Sequence, residues 1–263
     1  EKGKNYFFQA KNSNIVLEGI DFIMKADDLK ESIGLNPFSI FDIQGGDLSL
    51  RDCTFTILGK HQSVSLVKFH GVRKSDPTRN PEQLARLELN RCIVRGEPIT
   101  VVTLNNCLAD VKVIDSLLVS GQSNALFELV PPTETAPRAE RTLRLIRTTC
   151  ATRGDFLAMD GTPPGDVTTK LILADSIVAC DSPGAARKLV RIRSWPDQNG
   201  VITKASLDER SSLYTGWGEN LIHSGAAGTI SAKTSENWLH AWGLSGTDSQ
   251  IRPDAWPSED LGE

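Results

Sequence analysis

Residues 48–55 read LSLRDCTF: apolar and polar positions alternate until a charged pair and a cysteine interrupt them. The same outline returns at LELNRCIV (87–94), VKVIDSLL (111–118), LRLIRTTC (143–150) and LILADSIV (171–178). IVLEGIDF (15–22) and, more loosely, ASLDERSS (205–212) extend the series. Period-two alternation marks a strand with one face turned inward. Taking Leu17, Leu50, Leu89, Val113, Leu145, Leu173 and Leu207 as the shared apolar anchor, successive copies lie 24 to 39 residues apart. A fixed period would indicate helical repeats or propeller blades. Variable spacing around a constant strand predicts coils of a solenoid, joined by loops of unequal length.

A second motif alternates with the first: FSIFDIQ (38–44), VSLVKFH (64–70), ITVVTLN (99–105), NALFELV (124–130), GDFLAMD (154–160), RKLVRIR (187–193) and ENLIHSG (219–225). Each coil therefore holds at least two strands, and the bend after LSLRDC leaves room for a short third. Helical periodicity is scarce before the C-terminal tail, so βα solenoids fit poorly. Over about residues 6–235 the pattern resembles the right-handed parallel β-helix proteins, the superfamily that includes pectate lyases and polygalacturonases. The resemblance implies an all-β fold. It would be a single-stranded right-handed parallel β-helix of about seven to eight coils over 1–235, with a C-terminal cap and tail over 236–263.

In such a fold, equivalent residues of successive coils stack about 4.8 Å apart. Cys53, Cys92, Ser116, Thr148 and Ser176 then form a column of small residues turned inward at a bend. Cys53 and Cys92 are expected to stay reduced, because parallel stacking seldom orients both sulfurs for a disulfide. The preceding column reads Asp52, Arg91, Asp115, Arg147, Asp175 and Glu209. Alternating signs predict stabilising cross-strand pairs, hence scaffold and not site.

FQAKNSNIVL (8–17) matches FDIQGGDLSL (41–50) in spacing, so the chain is expected to enter on the second strand of a coil, as if excised from a longer protein. At the other end Trp238 and Trp242 lie four residues apart, which places both on one side of a helix that caps the last coil. The longer loops, 71–86, 131–142, 161–170 and 194–204, all follow the second strand series and should project from one edge of the cylinder.

Composition narrows the chemistry. Charged residues make up 24% and apolar ones 39%, the range of a folded domain. A net charge of -4 argues against nucleic acid as a partner, and no run approaches the ~18 apolar residues of a membrane span. Five cysteines without a CxxC spacing, and four histidines without an i, i+4 pair, give no metal site. No cofactor is expected.

The FSIFDIQ series offers two outward columns. One holds Asp42, Lys68, Thr103, Glu128, Ala158, Arg191 and His223, and the other Gln44, His70, Asn105, Val130, Asp160, Arg193 and Gly225. Lys68, His70, Asn105, Glu128, Asp160 and Arg193 make the candidate ligand face. Were the chain an enzyme, Glu128 and Asp160 would act with Arg191, Arg193 and His70. Glycoside hydrolysis needs two carboxylates, about 6.5–9.5 Å apart for inversion, and one coil plus two residues suits that window. The polygalacturonase pattern is not followed. Phe69-His70-Gly71 and Arg191-Ile192-Arg193 are present, but the Asp-Asp pair and the Asn-x-Asp ahead of them are missing. Arg153-Gly154-Asp155 spells an adhesion tripeptide at the start of a strand.

The expected function is therefore a non-enzymatic β-helix domain of a larger bacterial surface or extracytoplasmic protein, of the kind found in some receptor-like kinases. It would bind a polysaccharide or another surface protein, or act as a rigid spacer. A polysaccharide hydrolase or lyase is the rival.

Overall fold

The computed structural model describes residues 5–26, 38–59, 63–70, 84–97, 99–121, 125–131, 140–161, 163, 167–180, 187–194, 197–198, 201–225 and 228–252. About two thirds of them lie in strands, which repeat in threes along the chain and distribute into three stacked sheets of nine, seven and eight strands. The FSIFDIQ series builds the nine-stranded sheet from Tyr6–Lys11 to Gly228–Ala232. The LSLRDCTF series builds the seven-stranded sheet, from Ile15–Glu18 to Ala205–Arg210. The eight-stranded sheet is the short third strand of each coil, beginning at Asp21–Lys25. Neighbouring strands pair in parallel except at the C-terminal edge of the nine-stranded sheet and in a two-residue hairpin, Asp197–Gln198 with Val201–Ile202. The chain is a parallel β-helix solenoid.

One corner repeats in every coil. Gly19, Asp52, Arg91, Asp115, Arg147, Asp175 and Ser211 all have positive φ, between 47° and 66°. This left-handed turn swings the chain from the seven-stranded to the eight-stranded sheet, and each corner N–H still reaches the next coil, as Asp115 N does to Ile146 O at 3.1 Å. The alternating charges pair as expected: Arg91 Nε donates to Asp52 Oδ1 at 2.6 Å and Arg147 Nε to Asp115 Oδ1 at 2.7 Å. Asp175 meets Arg210 at 3.7 Å. Ser211, and not Glu209, occupies the last corner, because Leu173 pairs with Glu209 and the final strand is shifted by two residues. Glu209 thus stands where earlier coils place leucine or valine, and its Oε2 accepts from the Tyr214 hydroxyl at 2.8 Å.

The small column is inward and buried, as its residue types require. Ser116, Thr148, Ser176 and Ser212 donate to the carbonyl two residues back, at 2.7 to 3.1 Å. Three of these hydroxyls also accept the backbone N–H of the small residue one coil earlier: Cys92 N to Ser116, Thr148 N to Ser176 and Ser176 N to Ser212. All five cysteines are buried free thiols. Burial pushes the Cys107 thiol up to about 12. Between the nine- and seven-stranded sheets, Gly46 (φ +91°) is required sterically, since a Cβ there would fall 2.2 Å from Ser13 O.

The two ends differ. At the C-terminal end Gly228–Ala232 turns back antiparallel on Glu219–Gly225, and the helix Ser235–Ala241 follows with Thr234 as its N-cap. Trp238 is 1% exposed, its ring 5.7 Å from Trp242 and 6.0 Å from Tyr214, so the tryptophans close the core. Gln250–Arg252 then rejoins the eight-stranded sheet beside Leu213–Thr215. At the other end Tyr6–Lys11 pairs with Phe38–Gln44 in the register read from the sequence, Phe8 opposite Phe41. Phe7 and Phe8 of this first coil remain about half exposed, whereas equivalent positions inside the stack are buried.

Candidate functional site

The outward face of the nine-stranded sheet holds a set of buried polar side chains, among them Ser39, Asp42, Ser65, Lys68, Thr100, Thr103 and Asp155. Its strands bend after the third residue, and the register omits the Ile40, Leu66 and Val101 positions. On both sides of that bend the adjacent apolar residues, such as Ile40 and Phe41, join the core. The outward residues before and after them, Ser39 and Asp42 in that strand, are thereby tilted toward each other across a shallow trough. Ser65 Oγ lies 2.9 Å from Thr103 Oγ1 across this trough, and Asp155 meets Arg191 in the same way.

One trough column runs Asp42, Lys68, Thr103, Glu128, Ala158 and Arg191 in unbroken register. It continues into Ile222, not His223, so the last strand slips by one residue. The cause is Asn220, buried where Leu189 stands one coil earlier, with its Nδ2 reaching Lys233 O at 3.4 Å. The neighbouring column, Gln44, His70, Asn105, Val130, Asp160 and Arg193, accordingly ends on Ser224 and not Gly225.

Glu128, Asp160, Arg191 and Arg193 come together around a depression of about 540 Å³, completed by Asp155, Arg187, Lys188, Leu129, Val130 and Ala158. Arg191 is its hub. Its Nε donates to Asp155 Oδ2 at 2.7 Å, and its Nη1 lies 3.7 Å from Asp160 Oδ2. Asp155 Oδ1 accepts the Lys188 backbone N–H at 3.0 Å, so both oxygens of that carboxylate are engaged. Asp160 is shared with Arg193, 3.8 Å away, while the Lys188 ammonium sits 3.3 Å from Glu219. Among the described residues, no hydrogen bond or ion pair holds Glu128. Desolvation raises its pKa above the ordinary carboxylate value, Asp160 adds to the rise, and Arg191 and Lys68 oppose it.

Lys68, His70 and Asn105 lie outside the lining of this depression, on earlier coils of the same face. His70 is three strands from Asp160 in its column, about 14 Å, and its Nε2 lies 3.0 Å from Asp42 Oδ2. Sequence reasoning missed Asp155, Lys188 and Glu219. They precede the paired apolar residues, a position filled in the first coils by Ser39, Ser65 and Thr100, and the two-column scheme did not include it. Asp155 also closes the Arg-Gly-Asp tripeptide; at 7% exposed and bound to Arg191, it is not presented as an adhesion loop would present it. Most of loops 71–86 and 131–142, and parts of 161–170 and 194–204, lie outside the described residues, as does His61.

Among the described residues, no group of three or more His, Cys, Asp or Glu side chains is arranged to hold a metal ion, and no helix is long and apolar enough to cross a membrane. No protein-family model, curated protein or solved structure matches this chain.

Proposed function

We propose that the chain is a non-enzymatic, pectin-lyase-like β-helix domain of a larger bacterial surface or extracytoplasmic protein, and that it binds carbohydrate in the Glu128–Arg193 depression. The observation that carries this reading is the double engagement of Arg191 with Asp155 and Asp160. A two-carboxylate glycosidase needs one acid to protonate the leaving group and one carboxylate to act as nucleophile or to activate water. Here Asp155 has both oxygens engaged, and Asp160 lies between Arg191 and Arg193 at 3.7 and 3.8 Å, so each aspartate is held in its ionised form next to a guanidinium. What remains is a polar concavity with acceptors, guanidinium donors and a rigid floor, suited to hydroxyl and charged substituents. Among the described residues its lining contains no aromatic side chain, which favours hydrogen bonding over ring stacking.

The rival, a polysaccharide hydrolase or lyase, is favoured by one observation: a desolvated Glu128 one coil and two residues from Asp160, about 8 Å between Cα atoms. Incubation with polyuronides and neutral polysaccharides, followed by reducing-end and unsaturated-product assays alongside a glycan array, separates the two. Binding without product is expected. Turnover abolished by Glu128→Gln or Asp160→Asn would overturn the binding-domain reading.

A further inference from the structure

Before the depression, toward the first coils, the same trough carries a second polar constellation. Asp42 and Lys68 are opposite one another in neighbouring strands and only 9% and 7% exposed. Asp42 Oδ2 is matched by His70 Nε2 at 3.0 Å, but Asp42 Oδ1 is buried and has no hydrogen-bond partner among the described residues. Among those residues no hydrogen bond or ion pair holds the Lys68 ammonium either. A buried acceptor left unmatched beside an ammonium that itself reaches solvent is costly unless something polar supplies its hydrogen bond. The hydroxyls of Ser65 and Thr103 continue the polar floor from Lys68 toward Glu128. At one strand spacing per coil, Lys68 stands about 10 Å from Glu128, and Asp42 about 24 Å from Arg191.

We propose that Asp42, Lys68 and His70 form a second subsite that takes a hydroxyl-bearing sugar unit. Lys68 donates to one hydroxyl oxygen, and Asp42 Oδ1 accepts from a neighbouring hydroxyl. A bound glycan then lies along the solenoid axis, with one part over this subsite and another in the depression. This deepens the carbohydrate reading and rests on it.

The test is calorimetric titration of the full chain with the dimer and hexamer of galacturonic acid and with cellobiose and cellohexaose, for wild type and Lys68→Met. The Met variant keeps the buried apolar stem and removes an ammonium that no hydrogen bond or ion pair holds among the described residues, so its thermal midpoint should not fall. In at least one series the wild type should bind the hexamer tenfold or more tighter than the dimer, and Lys68→Met should lose that gain. Equal affinity for dimer and hexamer in the wild type, or a length gain that survives in Lys68→Met, overturns the second subsite while leaving the carbohydrate reading intact. No binding in either series overturns both.

Discussion

Arg191 Nε donates to Asp155 Oδ2 at 2.7 Å across the bend of the nine-stranded sheet, joining two outward columns through side chains only 14% and 10% exposed. Removing the cation leaves a buried carboxylate with one bare oxygen. Arg191→Met should therefore lower the unfolding free energy by about 3–5 kcal/mol, the usual cost of breaking a buried pair from one side. Adding Asp155→Asn should return a good part of it, because the stranded charge is then gone. Urea titration of the two single variants and the double variant measures the coupling. Additive losses would mean that the pair does not act as a unit.

Glu128 sets a pH dependence of definite sign. Its pKa is raised in the folded state, chiefly by desolvation, so the folded chain holds this proton more firmly than the unfolded one. Between the ordinary carboxylate value and the raised one, stability falls as pH rises, and above that window the cost is fully present. Glu128→Gln should raise the thermal midpoint near pH 7–8 and change it little near pH 4. A midpoint that drops in the Gln variant at neutral pH would show that the ionised carboxylate is held by a partner.

The corner column makes a different prediction. Arg147 sits at φ 48°, a conformation that costs an L-residue energy and suits glycine. Its compensation is a solvent-exposed ion pair with Asp115, which salt screens. Arg147→Gly should leave the thermal midpoint unchanged or raised, whereas Arg147→Val, branched at Cβ, should lower it. Scanning calorimetry at low and high salt distinguishes these outcomes, with the wild type falling further below Arg147→Gly as salt screens its ion pair.

The tryptophan cap closes the apolar core at one end. Trp238→Ala should cost about 3–5 kcal/mol, as large-to-small core changes do. Trp238→Phe should cost much less, since the Trp238 Nε1 is buried without a hydrogen-bond partner among the described residues and Phe removes that donor. Chemical denaturation followed by fluorescence or circular dichroism reports both.

Fold was more legible in the sequence than site because apolar anchors stack in nearly every coil. Leu17, Leu50, Leu89, Val113, Leu145 and Leu173 are true neighbours, and the corner charges and the small column follow from them. The pattern fails where a polar residue takes an inward place with a dedicated partner. Glu209 bonded to Tyr214 displaces Leu207 from the anchor column by two residues. Buried Asn220 shifts the last strand of the nine-stranded sheet by one. Glu128, Asp160, Arg191 and Arg193 were found because their columns align without such exceptions. Asp155 was hidden by the bend, since a two-residue period does not reveal that residues three apart on one strand can share its outer face.

Carbohydrate binding on the outward face of the nine-stranded sheet is open to a direct test. Affinity electrophoresis of wild type beside Arg187→Ser/Arg193→Ser, in gels containing polygalacturonate, xylan or hydroxyethylcellulose, tests it most directly. Wild type should be retarded by at least one polymer, and the double variant should migrate as it does in a polymer-free gel. Unretarded wild type in all three gels, or equal retardation of wild type and variant, would contradict the account.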